Sequence, residues 1–233
     1  MNELILLGSV VMIFGSVVLA WHLFGKAGLY AMTALVTILS NIEVLILVKA
    51  FGMEQTLGNL LFASTFLITD ILSENVGKKE ANTAVFIGLF SSVFFLALTG
   101  SWLLYIPSEN DWVIPAIRTI FMATPRTVLA SMTVYAVSQL FDVWLYHKWW
   151  DFTTRRFGDS RRFLWLRNNG ATMASQLLNT VLFTLAAFAG AEGYNGKLLV
   201  SIMFSSFAIY VVTSLLDTPA VYIARRIEEK KKV

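Results

Sequence analysis

Cysteine is absent from the 233 residues. No disulfide framework, thiolate metal site or cysteine nucleophile can be built from such a chain. Charge is scarce as well: Asp, Glu, Lys and Arg make up 14%, against about 25% in soluble domains. That scarcity excludes a soluble globule, a disordered chain and a nucleic-acid binder that works through a basic surface. Catalytic signatures are missing too. There is no GxxxxGK phosphate loop, no HExxH and no GxSxG elbow, and serines occur without a base at readable spacing. His22 and His147 lie far apart in the chain, which argues against a metalloprotease. The expectation is a non-enzyme with no metal and no cofactor.

What is present is apolar. Hydrophobic residues are 57% of the chain and the mean hydropathy is +0.67. Four prolines and seven tryptophans suit long helices with aromatic anchors at membrane interfaces. A spanning helix needs about 20 mostly apolar residues, and seven such runs are found: 4–24, 29–48, 57–72, 84–106, 127–146, 171–191 and 198–223. The third is short and polar at its C-terminal end. The first lacks a basic leader and is too long for a signal-peptide core, so it is taken as a span. The predicted fold is an all-α, polytopic membrane bundle of seven helices in a single domain over 1–233.

Basic residues orient it. With seven spans, one side holds fourteen of the 18 Lys and Arg residues, Arg155, Arg156, Arg161, Arg162, Arg225, Arg226, Lys230, Lys231 and Lys232 among them, and the other side four. The positive-inside rule then places the N-terminus outside and the C-terminus in the cytoplasm. The stretch 147–167, rich in Trp149, Trp150, Phe152, Phe163 and Trp165, is expected to be a connection lying against anionic headgroups. A second piece, irregular or interfacial, is expected over 108–124, bounded by Pro107, Pro115 and Pro125.

Ionisable and amide side chains inside spans are expensive and mark candidate sites. They are Asn41 and Glu43 in the second span, Asp70 and Glu74 in the third, Gln139 and Asp142 in the fifth, Gln176 and Asn179 in the sixth, and Asp217 in the seventh. Asp70, Glu74 and Lys78 share one face of a continuous helix, which suits either a site or an ion-paired helix end. Tyr135, Gln139, Asp142 and Tyr146 form one stripe, and Thr172, Gln176, Asn179 and Phe183 repeat its spacing. The strings SQLFDVWLY and SQLLNTVLF suit an inverted duplication, a device that places transporter sites near the midplane. Plain interhelical hydrogen bonding suits the two glutamines equally. Asp217, just before Thr218 and Pro219, is read as a ligand or as a cap at a proline kink.

The run Thr69-Asp70-Ile71-Leu72-Ser73-Glu74-Asn75-Val76-Gly77-Lys78-Lys79-Glu80-Ala81 is distinctive. With it come Asn41-Ile42, Arg126 leading to Ser131, Ser138-Gln139 to Asp142, Leu164-Trp165-Leu166-Arg167-Asn168-Asn169, Ser175-Gln176 and Asp217-Thr218-Pro219. Together these motifs resemble the queuosine-precursor transporter family, also grouped as vitamin uptake transporters. The resemblance covers about residues 27–227, leaving 1–26 as an added N-terminal span and 228–233 as a basic tail. It implies a multi-pass protein of the bacterial cytoplasmic membrane. Its cargo would be a 7-deazaguanine, such as 7-cyano-7-deazaguanine, 7-aminomethyl-7-deazaguanine or queuine, salvaged for tRNA modification. A secondary carrier is the first reading. A substrate-binding subunit served by a separate ATPase module is the alternative, and a scaffold or intramembrane enzyme a distant third. Partners are then the small molecule and the bilayer, with no nucleic acid, and a homodimer is left open.

Paired donors and acceptors on Asp, Glu, Asn and Gln suit a purine-like base, and Tyr135, Trp144 and Phe183 offer rings to stack on it. The expected binding set is Asn41, Asp70, Glu74, Tyr135, Gln139, Asp142, Arg167, Asn168, Gln176 and Asn179. Glu43, Asp70, Asp142 and Asp217 are the candidates for proton coupling. In the family's pattern the second SQxxD copy ends in Asp, whereas here it ends in Asn179, which can read a base but not carry a proton.

Overall fold

A computed structural model describes residues 1–121, 125–193 and 195–231. Lys232 and the side chain of Arg126 lie outside the described residues. Among the described residues, four helices are long and apolar enough to cross a membrane: Asn2–Glu43, Lys78–Trp102, Leu164–Phe188 and Gly196–Lys231.

Helix α1 (Asn2–Glu43) is two arms joined at Gly25, whose backbone leaves the helical region (φ 59°, ψ −141°). The second arm folds back so tightly that a Cβ on Gly28 would run into the carbonyl oxygen of Ala20. The reversal returns the chain to its start, where the Asn2 amide donates to the Lys49 carbonyl at 2.9 Å. The two arms cover the apolar run 4–24 and most of the run 29–48. Because backbone atoms form the clash, Gly28→Ala is expected to lower stability by about 1–3 kcal/mol through overpacking. Gly8→Ala, with open space around it, is expected to hold or raise it. Melting in detergent distinguishes the two.

The second arm ends at Glu43, short of the expected Val48. Leu47–Ala50 (β1) pairs antiparallel with Met53–Thr56 (β2), Ala50 facing Met53, so the fold is not purely α. The loop is two residues, Phe51 and Gly52, both at positive φ (51° and 75°), the turn that matches strand twist in a tight hairpin. An apolar run read as the end of a span thus extends as a strand because Phe51-Gly52 turns it back. The Phe51 N–H donates to Glu3 Oε1 at 3.3 Å, tying the hairpin to the N-terminus.

Helix α2 (Gly58–Asn75) contains the short third apolar run and lies at the centre, packed against α1, α3 (Lys78–Trp102), α5 (Pro125–Phe157) and α7 (Gly196–Lys231). Its burial runs almost unbroken from Leu60 to Ser73. Helix α4 (Ile114–Phe121) falls in the stretch expected to be irregular or interfacial. The connection expected over 147–167 is instead mostly helix. α5 runs on to Phe157 because no glycine or proline interrupts residues 126–157. Gly158, at φ 69°, then ends it with the left-handed residue typical of helix C-termini. α6 (Leu164–Phe188) begins seven residues before the expected span, since Leu164, Arg167, Asn168 and Asn169 all pack inside.

The outer faces carry apolar side chains such as Phe86, Phe90 and Phe94 of α3, and Val200, Phe204 and Val212 of α7. Buried positions include Asp70, Gln139, Asp142, Arg167, Asn168 and Asp217. This inside-out polarity suits hydrocarbon surroundings. One end of the bundle holds the N-terminus and hairpin. The other holds the Gly25 turn and the end of α7, joined where Lys231 Nζ donates to the His22 carbonyl at 3.0 Å and Trp21 Nε1 to that of Ala224 at 3.1 Å.

Candidate functional site

The 3.6-residue stripes converge as helical periodicity requires. Tyr135, Gln139, Asp142 and Tyr146 on α5, and Thr172, Gln176 and Asn179 on α6, are all buried. α5 and α6 pack along each other, so both stripes face the same interior. There they meet α2, whose Thr65, Thr69 and Asp70 are also buried. The result is a polar column inside an apolar shell.

A cavity of about 1020 Å³ opens above the column, at the hairpin end. Asn41, Asn59, Phe62, Asn179, Ser201 and Tyr210 are among its lining residues, and no charged side chain is among those described. Phe62 is central to its floor. Its ring lies 6.2 Å from that of Tyr135 and 6.0 Å from that of Tyr210, at 67° and 53°. The Tyr210 O–H donates to Asn59 Oδ1 at 3.1 Å.

Below the floor, Gln139 is engaged with α2: its amide nitrogen donates to Thr65 Oγ1 and its oxygen accepts from Thr69 at 3.3 Å. This is the helix-bridging role. Gln176, 1% exposed, has neither amide atom in a hydrogen bond among the described residues. Deeper, Thr172 Oγ1 donates to Asp70 Oδ2 at 3.0 Å. Both Asp142 oxygens and Asp70 Oδ1 lack a well-formed partner, although Asp142 faces Asp70, Thr172 and Ser175. Asn168 Nδ2 donates to Asp217 Oδ1 at 2.9 Å. This bond straps α6 to α7 beside Pro219, while Asn168 Oδ1 is left without a partner. Buried polar atoms are ordinarily satisfied, so this concentration of orphans calls for an explanation.

At the basic end the column closes. Glu74 and Arg167 form a forked ion pair with contacts of 2.6, 2.7 and 2.9 Å, their side chains 3% and 0% exposed. Tyr146 donates to Glu74 Oε2 at 2.7 Å, Arg225 adds a contact at 3.3 Å, and Trp150 lies 4.3 Å from the guanidinium. Four helices, α2, α5, α6 and α7, thereby meet at one carboxylate. Lys78, expected on the same face as Glu74, is not its partner. Gly77, at φ 117°, breaks the helix between them, and Lys78 starts α3.

The sequence-expected residues therefore fall into distinct places. Asn41 and Asn179 line the cavity, and Asn41 also donates to the Thr37 carbonyl of its own helix at 2.7 Å. Asp70, Gln139, Asp142, Asn168, Gln176 and Asp217 make the column, with Tyr135 at its upper edge. Glu74 and Arg167 are turned to each other. Glu43, half-buried where α1 ends, is outside both cavity and column. Trp144 is 44% exposed and stacks on Phe141 instead. Missed from the sequence were Asn59, Phe62, Tyr210 and Arg225. Asn59 was detectable as an amide inside an apolar run. No group of three His, Cys, Asp or Glu among the described residues is placed to hold a metal.

Residues 56–224 match the family described as "Putative vitamin uptake transporter". A protein of Bacillus subtilis (strain 168) named "Probable queuosine precursor transporter" is 35% identical over 210 residues, covering 90% of this chain and 89% of that protein. No solved structure matches.

Proposed function

The chain belongs to the vitamin uptake transporter family, and from that premise we propose that it imports a queuosine precursor across the bacterial cytoplasmic membrane as a secondary carrier. In this reading it crosses the bilayer seven times: twice with α1, and once each with α2, α3, α5, α6 and α7. The end rich in Arg and Lys faces the cytoplasm, by the positive-inside rule, so the cavity opens outward. The observation that carries the proposal is the continuity of three features. A cavity large enough for a small-molecule ligand, with no charged side chain in its described lining, leads to a column of buried polar groups unsatisfied among the described residues, and that column is shut at the far end by the Glu74–Arg167 pair. This is the layout expected of a site reached from alternate sides. The chain has no phosphate loop of its own, and the column gives a coupling route that needs no ATPase.

The cargo is tested by salvage. The chain is expressed in a bacterium unable to make queuosine precursors or import them, and fed 7-cyano-7-deazaguanine, 7-aminomethyl-7-deazaguanine or queuine. Queuosine should reappear in tRNA, scored by boronate gel, with at least one of them. Its absence with all three, from cells holding the protein in the membrane, would overturn the proposal.

A further inference from the structure

The cavity and the column differ in chemistry. The column is built around carboxyls, whereas the cavity's described lining has no Asp, Glu, Lys, Arg or His. Its polar groups are neutral: Asn41, Asn59 and Asn179, with hydroxyls that include Ser201, Ser205 and Ser206 on one side of α7. A phosphate taken out of water needs Arg, Lys or a set of N–H donors to replace its hydration. A desolvated ammonium needs a carboxylate close by, and the first on α2, Asp70, lies two turns beyond Phe62, about 12 Å along the helix. The described lining is therefore matched to an uncharged ligand, which among the three precursors is 7-cyano-7-deazaguanine, since the aliphatic amines of the other two are protonated at neutral pH.

The floor is more specific. Phe62, Tyr135 and Tyr210 meet edge to face or tilted, not stacked, and Phe62 and Tyr210 border the open cavity. Their planes are the natural seat for a flat ring. The amides beside them are pre-set. Because Tyr210 donates to Asn59 Oδ1, Asn59 has its N–H groups left for the cavity. Asn179 makes no side-chain hydrogen bond among the described residues and has both carbonyl and amide to give. A lactam edge, with a carbonyl that accepts and an adjacent ring amide N–H that donates, is complementary to that pair.

We propose that Phe62, Tyr210, Asn59 and Asn179 form the outer recognition site of the carrier, selecting a flat, uncharged, lactam-bearing heteroaromatic base and rejecting its phosphorylated forms. The proposal rests on the queuosine-precursor reading above and adds residues and a charge rule to it. Base stacking holds the ligand, the two asparagines read its edge, and Gln176 lies below to receive it.

Binding to the purified full-length chain in detergent tests this, with 7-cyano-7-deazaguanine and guanosine 5′-monophosphate as probes. The base should bind and the nucleotide should not. Phe62→Leu, which keeps bulk but loses the flat face, should weaken binding about tenfold. Asn59→Ala should do so by about the same factor. In uptake assays both should raise KM with the maximal rate held. Unchanged affinity in both variants, or a nucleotide that binds as tightly as the base, would overturn the site while leaving the transporter reading standing. No binding of the base by the unaltered chain, in a preparation that does restore queuosine in cells, would overturn the site as well. Failure of the unaltered chain in both assays would remove the transporter reading and the site together.

Discussion

Arg167→Ala should be among the most destabilising single changes in this chain, costing about 3–5 kcal/mol. The guanidinium is 0% exposed and its partner Glu74 is 3% exposed, so truncation leaves a carboxylate buried without its forked partner. Arg225 stays within 3.3 Å, but it is a single contact from a more exposed side chain and does not replace two parallel bonds. The variant should melt well below the parent in detergent and lose part of its yield in the membrane. Arg167→Met combined with Glu74→Leu should recover much of the loss. A buried pair exchanged for apolar side chains of similar volume is often neutral or stabilising, whereas a half-pair is not. Equal melting of the single and double variants would show that the pair is not the source of the effect. Transport tells a different story from stability here. The double variant is expected to fold and yet to transport poorly, because the closure that the ion pair gives the basic end is gone.

Asp142→Asn is expected to behave in the opposite way. Asp142 is fully buried with neither carboxylate oxygen well bonded, so an amide of the same shape removes a costly group and should keep or raise the melting temperature. Uptake should fall about 10- to 100-fold, the rate equivalent of one hydrogen bond to a charged group, about 1.5–3 kcal/mol. If Asp142, one of the candidates for proton coupling, carries the coupled proton, the amide also ends accumulation driven by an imposed pH gradient in liposomes. Accumulation of the precursor by the Asn variant at the parental level would discard Asp142 as the coupling group. Accumulation by the parent that ignores the gradient would discard proton coupling altogether.

The apolar runs and the inward stripes were legible because spacing alone decides them. A helix that places Gln139 inside also places Tyr135, Asp142 and Tyr146 inside, whatever surrounds it. The partners of those groups were not legible. Glu74 and Arg167 both read as ligands for a substrate, and the structure turns each toward the other across 93 residues of chain. Lys78 suits an ion pair with Glu74 only on a continuous helix, and one glycine conformation at Gly77 takes it out of register. α5 runs past the expected end of the fifth span at Tyr146 because nothing there stops a helix, while Trp149, Trp150 and Phe152 suggest an interface and say nothing of helix length. The cavity was missed because the void depends on how α1, α2, α6 and α7 splay, a property of packing angles and not of any one segment. Phe62 and Tyr210, two unremarkable aromatics in apolar spans, acquire meaning only there.

The central position of α2 also sets a problem of timing. The helix that carries Asp70 and Glu74 leaves the ribosome long before the residues that satisfy them. Thr172 follows Asp70 by 102 residues, and Arg167 follows Glu74 by 93. At about 5–20 residues per second, the nascent chain must hold two acidic side chains without their partners for several seconds. On the seven-span reading, insertion of α2 into the bilayer core is therefore expected to be a late event, completed when α6 and α7 arrive, with the segment sheltered until then by the membrane insertion machinery.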